Sequence, residues 1–186
     1  KRASIQFTNQ ALFNCKLNCA TQFIEYYMEE DTLPICQYSL PIKFHGLPVS
    51  LNFDSDKTFK KVSKILPIGW LNNDSNSVYD INFYSFKQFK IFESNRLSWD
   101  DEIDPECEIF NIHGSEVAIQ RDFVGVQRKD CSNKIHIIFD ENETDGLYNS
   151  LRWLLPRKLL LIDKILLHSS CIVNSEEKAY FFLGPS

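Results

Sequence analysis

The chain of 186 residues carries 20 Lys and Arg against 25 Asp and Glu, a net charge of -5 and a pI near 5.4. That balance argues against a nucleic-acid partner, because proteins that neutralise phosphate backbones concentrate excess cations. No stretch is apolar enough to cross a bilayer and no basic-then-apolar leader opens the chain, so a cytoplasmic protein with no membrane partner is expected.

Thr8 to Glu30 is the first periodic segment. Leu12, Cys15, Cys19, Phe23 and Tyr27 recur at three- and four-residue steps, the pattern of an amphipathic helix with Thr8 as its N-cap. Pro34 closes it. Tyr38 to Phe44 and Leu47 to Phe53 read as two strands around a His45-Gly46 turn, with Val49, Leu51 and Phe53 alternating with polar Ser50 and Asn52. Such alternation marks a sheet with one wet face. Pro41 and Pro48 cannot donate to a ladder, so these strands should lie at an edge or begin there.

Asp54, Ser55 or Asp56 caps a short helix through Leu66, with Phe59, Val62 and Ile65 on one side. Lys57, Lys60, Lys61 and Lys64 line the other. The lysines make a solvated face or a basic patch for a phosphorylated or acidic partner. Pro67 and Gly69 end the helix, and Leu71 to Ser77 reads as a loop.

From Val78 the chain is strand-like: Val78 to Phe86, Phe89 to Phe92, Cys107 to Ile112, Glu116 to Gln120, Val124 to Gln127 and Lys134 to Phe139. Turn signals at His113-Gly114-Ser115 and Cys131-Ser132-Asn133 make an antiparallel meander the economical solution. Trp99 to Pro105 is an acidic loop without the rigid spacing of a calcium site. The six cysteines, Cys15, Cys19, Cys36, Cys107, Cys131 and Cys171, contain no C-x-x-C pair. Reduced, mostly buried thiols and no metal site are expected.

Asn142 or Thr144 caps a second clear helix with Leu147, Leu151, Leu154 and Leu155 on one face. Pro156 should kink or restart it, after which Leu159, Leu160, Ile162 and Ile165 resume the apolar pattern. Leu166 to Val173 and Lys178 to Leu183 then form a hairpin whose second strand runs into Gly184-Pro185-Ser186. These are the first three positions of G-x-x-x-x-G-K-[ST], the loop whose backbone N–H groups cradle phosphates.

The stretch Leu166-Leu167-His168-Ser169-Ser170, followed by Ala179-Tyr180-Phe181-Phe182-Leu183-Gly184-Pro185-Ser186, resembles the HPr kinase-like family of P-loop phosphotransferases. ABC-transporter ATPases also carry Leu-Leu-Gly-Pro-Ser before their phosphate loop but lack the His-bearing strand. The resemblance implies ATP and Mg²⁺ as cofactors, a serine or another small acceptor, His168 at the catalytic centre, and Gly184, Pro185 and Ser186 in the cofactor-binding loop. The fold class expected is α+β: helices with a mostly antiparallel sheet, followed by a helix and hairpin that open a P-loop kinase core. Residues 1–142 would form an accessory region and residues 143–186 the start of that core. Because the chain opens with Lys1 and closes inside the motif, a fragment inactive by itself is expected. The alternatives are a non-catalytic accessory module that presents a protein or peptide partner, or a fragment of an ABC-type ATPase.

Overall fold

The computed structural model describes residues 2–28, 32–71, 76–89, 107–120, 122–142, 145–164, 170–173, 175 and 178–182. The chain divides into two compact units, Lys1–Leu151 and Arg152–Ser186. The architecture is α+β, with three α-helices and a seven-stranded mixed sheet among the described residues.

The first unit is built on strands β1 (Tyr38–Phe44), β2 (Leu47–Phe53), β3 (Tyr79–Ser85), β4 (Glu108–Ile112), β5 (Ser115–Gln120), β6 (Phe123–Gln127) and β7 (Lys134–Phe139). Their order across the sheet is β1-β2-β3-β7-β6-β5-β4. The β1–β2 and β4–β5 hairpins both turn on a His-Gly pair at positive φ, 48° and 91° at His45-Gly46 and 49° and 80° at His113-Gly114. Two central residues at positive φ twist a tight turn to match its strands, and glycine adopts that backbone without penalty. Pro41 sits in the edge strand β1, and Pro48 near the beginning of β2, before its pairing with β3 starts at Val49↔Tyr79.

From β4 to β7 the chain is the expected antiparallel meander. The strand from Val78 is not part of it. β3 runs parallel to β2 on one side and parallel to β7 on the other. The connection from β2 to β3 passes through helix α2 (Asp56–Ile65), a crossover that returns the chain in the same direction. Strand periodicity carries no information on which neighbour a strand takes, so the parallel seam was invisible to it. The Phe89 to Phe92 strand lies outside the described residues except for Phe89, which follows a 3-10 turn, Phe86–Gln88.

Helix α1 runs over Arg2–Phe23 and passes into a π-helical turn, Ile24–Met28. Thr8 is therefore inside the helix and not its cap: an apolar stripe marks the buried face, not the first turn. Cys19 and Phe23 are buried as the stripe requires, Cys15 and Tyr27 pack against the same cluster, and Lys16 is fully buried beside them. Helix α2 begins at the Ser55 cap, whose hydroxyl accepts the Thr58 N–H at 3.2 Å. Helix α3 (Asp145–Leu160) continues through Pro156 as one element. Asn142 is not its cap, since it lies in a turn with its N–H on Asp140 Oδ1 at 2.9 Å, and Thr144 is outside the described residues. Leu159 is buried but Leu160, Leu161 and Ile162 are exposed, because the helix stops at Leu160 and its periodicity stops with it.

The sheet is covered on both faces. On one, α1 packs over Phe110, Ile112, Val117, Ile119, Val124, Val126 and Ile138. On the other, Phe53, Phe83 and Phe139 form an aromatic row across the three parallel strands, with ring centroids 5.2 and 5.8 Å apart. Phe59 of α2 meets Phe53 at 6.1 Å, and the first turn of α3 approaches Phe139 through Gly146. This core fixes where the three parallel strands end.

In the second unit, β8 (Ser170–Val173) pairs antiparallel with β9 (Ala179–Phe182) in the register Ser170↔Phe182 to Val173↔Ala179. The hairpin expected between Leu166 and Leu183 is thus present in its described part.

Candidate functional site

Open sheets with parallel strands bind ligands in the crevice outside the strands' carboxyl ends. Here β2, β3 and β7 are adjacent and parallel, and the residues that leave them are Asp54, Ser85 and the Asp140-Glu141-Asn142 loop. A polar cluster is assembled there from three segments of sequence.

Asp54 links two of the strand ends. Its Oδ2 accepts the Ser85 N–H at 3.3 Å and a bond from Gln88 Nε2 on the 3-10 turn, while Oδ1 is buried with no hydrogen-bond partner among the described residues. Burial raises the Asp54 pKa above the usual carboxylate range, and the nearby Glu141 charge pushes the same way. Glu141 is met by two cations at one oxygen: Lys57 Nζ of α2 lies 3.6 Å and Lys87 Nζ of the 3-10 turn 3.1 Å from Glu141 Oε1. Lys61 Nζ donates to the Glu141 carbonyl oxygen at 3.1 Å, and Lys57 Nζ to Asn142 Oδ1 at 3.4 Å. Lys60 is instead held by Asp56 at 2.6 Å along the helix. The lysine face is therefore divided, Lys57 and Lys61 turning to the β7–α3 loop and Lys60 to its own helix.

Next to Asp54 stands a short relay of titratable groups. Tyr84 shares a hydrogen bond with Cys36, and its hydroxyl lies 3.2 Å from His136 Nδ1, with the two rings stacked at 5.9 Å. Burial raises the Cys36 thiol to about 11, and burial with the Cys36 neighbour raises Tyr84 as well. A thiol held so high stays protonated at neutral pH and keeps its hydrogen bond with Tyr84. Cys15, Cys19, Cys36, Cys107 and Cys131 are free thiols; Cys19 is buried and the other four are half-buried, where mostly buried thiols were expected.

A cleft of about 560 Å³ lies elsewhere, at the amino-terminal end of β7, lined by Ile24, His113, Gly114, Ser115, Arg128, Lys129 and Asp130. Asp130 holds the Arg128 guanidinium through Nε at 2.8 Å and through Nη2. Among the described residues no group of three or more His, Cys, Asp or Glu is placed to hold a metal ion, and no helix is long and apolar enough to cross a membrane. The acidic loop from Trp99 to Pro105 lies outside the described residues, as do His168, Gly184, Pro185 and Ser186.

Of the residues at the strand ends, sequence reasoning picked out the lysines and treated Asp54 only as a possible cap. Glu141 and Lys87 carried no motif. The available signal was the Asp or Asp-Glu that follows two apolar strands, Leu47 to Phe53 and Lys134 to Phe139, but it gains meaning only once those strands are known to be parallel. No family model matches the chain, and no curated protein or solved structure matches it.

Proposed function

We propose that this chain is part of an ATP-dependent, HPr kinase-like phosphotransferase acting on a serine or another small acceptor. The observation that supports the reading is the antiparallel pairing of Ser170–Val173 with Ala179–Phe182. It is the strand, turn and strand that the sequence resemblance requires immediately before Gly184-Pro185-Ser186. In this reading Gly184 opens the phosphate loop, backbone N–H groups of the loop cradle the nucleotide phosphates, and His168 orients the acceptor hydroxyl. ATP would supply the transferred group and Mg²⁺ would neutralise its charge, since phosphoryl transfer depends mainly on positioning and electrostatic stabilisation. Residues 1–142 would bind the protein or peptide that carries the acceptor.

The encoded sequence that follows Ser186 tests this directly. Gly-x-Gly-Lys-[Ser/Thr] completes the loop; any other continuation, or none, replaces the kinase reading with a binding module. In a chain carrying the complete loop, His168→Ala should leave ATP affinity within about threefold and lower transfer on the order of a hundredfold, the contribution typical of a positioned acid–base group. Transfer at the wild-type rate by a folded variant would make His168 structural.

A further inference from the structure

We propose that Lys57, Lys61 and Lys87 form a binding site for a phosphate monoester at the carboxyl ends of β2, β3 and β7, and that Glu141 occupies it as an internal stand-in for the ligand. The site lies entirely within Lys1–Leu151 and does not depend on the kinase reading.

Two independent observations meet at this place. The first is location: it is the end of the parallel strands at which open sheets bind ligands. The second is the arrangement of charge. Lys57 and Lys87 come from different elements and aim their ammonium groups at the same oxygen, Glu141 Oε1, while Lys61 bonds the carbonyl of the same residue. The Lys57 and Lys87 side chains are 63% and 62% exposed, and that of Glu141 is 14% exposed. The cations therefore face solvent above a carboxylate that is mostly covered. In a chain with more acids than bases, three lysines converging on one residue is not the average surface.

The chemistry favours exchange. The Lys57 and Lys87 ammonium groups stand in solvent and are screened by salt, so they can leave the covered Glu141 carboxylate for a stronger anion. A phosphate monoester carries up to two charges and three strong acceptor oxygens, enough to take a bond from each ammonium where a carboxylate oxygen serves two. Asp54 and Asp140 oppose an incoming anion. Asp140 is buried with Oδ1 taken up by Asn142, and Asp54 faces Ser85 and Gln88. Their charges set a modest affinity for inorganic phosphate, and the displaced Glu141 releases the β7–α3 loop that it helps to pin.

The test is an NMR titration of the ¹⁵N-labelled 186-residue chain with inorganic phosphate, ionic strength being held constant with chloride. Saturable shifts are expected at the amides of residues 55–61, 86–89 and 140–142. Glu141→Gln removes the competing carboxylate and should tighten phosphate binding on the order of tenfold. Lys57→Met with Lys87→Met should abolish it, and Lys60→Met with Lys64→Met should leave it unchanged. If the first lysine pair does not fold when replaced, Lys87→Met alone must weaken binding several-fold. A clamp that merely pins the loop predicts lower stability and no phosphate affinity in Glu141→Gln. No saturable shift in that variant, equal affinity in variant and wild type, no loss in either the Lys57/Lys87 or the Lys87 variant, or an equal loss on replacing Lys60 and Lys64 would each overturn the proposal.

Discussion

Replacing Gly146 by alanine sets two effects of opposite sign against each other. Alanine favours a helix interior by about 1 kcal/mol over glycine, and Gly146 is the second residue of α3. Against that gain, an added Cβ would stand 2.3 Å from the Asp122 carbonyl oxygen, 3.2 Å from its carbonyl carbon and 3.3 Å from Phe139 Cβ. Favourable carbon contacts begin at about 3.5 Å. The obstructing oxygen belongs to backbone and cannot swing away. Asp122 is buried as well, and its Oδ2 accepts a 2.7 Å bond from Asn149 Nδ2 on the same helix. Overpacking of a tight site costs roughly 1–3 kcal/mol, and the propensity gain is smaller near a helix end than in its interior. A net loss of about 1–2 kcal/mol is therefore expected, read as a lower urea midpoint at unchanged slope by far-UV circular dichroism. A midpoint equal to or above that of the wild type would show that α3 does not approach the β5–β6 turn this closely.

Leu151 is buried in α3, so Leu151→Ala should lower stability by roughly 2–5 kcal/mol in the same melt; a loss under about half a kcal/mol would mean that this face meets water. Asp54 gives a pH dependence whose sign follows from its raised pKa. The folded state holds the proton more tightly than the unfolded state, so the stabilising contribution is present below the ordinary value of 3.8 and is lost as pH rises through the higher folded-state value. Asp54→Asn should flatten that part of the stability profile, and superimposable wild-type and variant profiles would refute the assignment.

Local chemistry made much of the fold legible. The β1–β2 hairpin follows from alternation plus a turn dipeptide that accepts positive φ, and Ser55 follows from the preference of a helix start for a short acceptor side chain. The leucines at 147, 151, 154 and 155 announced the buried face of α3. Choices settled by tertiary packing stayed hidden. Nothing in Tyr79 to Ser85 says that it pairs with Lys134 to Phe139 and not with the next strand in sequence, and the meander from β4 to β7 must fold back before that partner exists. The strand-end cluster was illegible for the same reason: Gln88 and Asp54 are 34 positions apart and Lys57 and Asn142 85 apart, and only the sheet order brings them together.

The seam between β3 and β7 also bears on how the molecule assembles. On one side of it, β1, β2 and β3 are joined by a tight turn and one crossover; on the other, β4 to β7 are joined by short connections. Within the halves the β2–β3 partners, such as Asn52 and Asn82, are 30 positions apart, whereas the seam brings together residues such as Tyr84 and His136, 52 positions apart. Loop-closure entropy makes it the costlier joint to close, and contacts of large sequence separation slow folding. Until it closes, β3 and β7 each present an unpaired edge, that of β7 rich in Ile and Phe, the template on which chains pair with one another. The interval before seam closure is thus when newly made chains are most exposed to aggregation, and residues that hold β3 against β7 protect yield as much as stability.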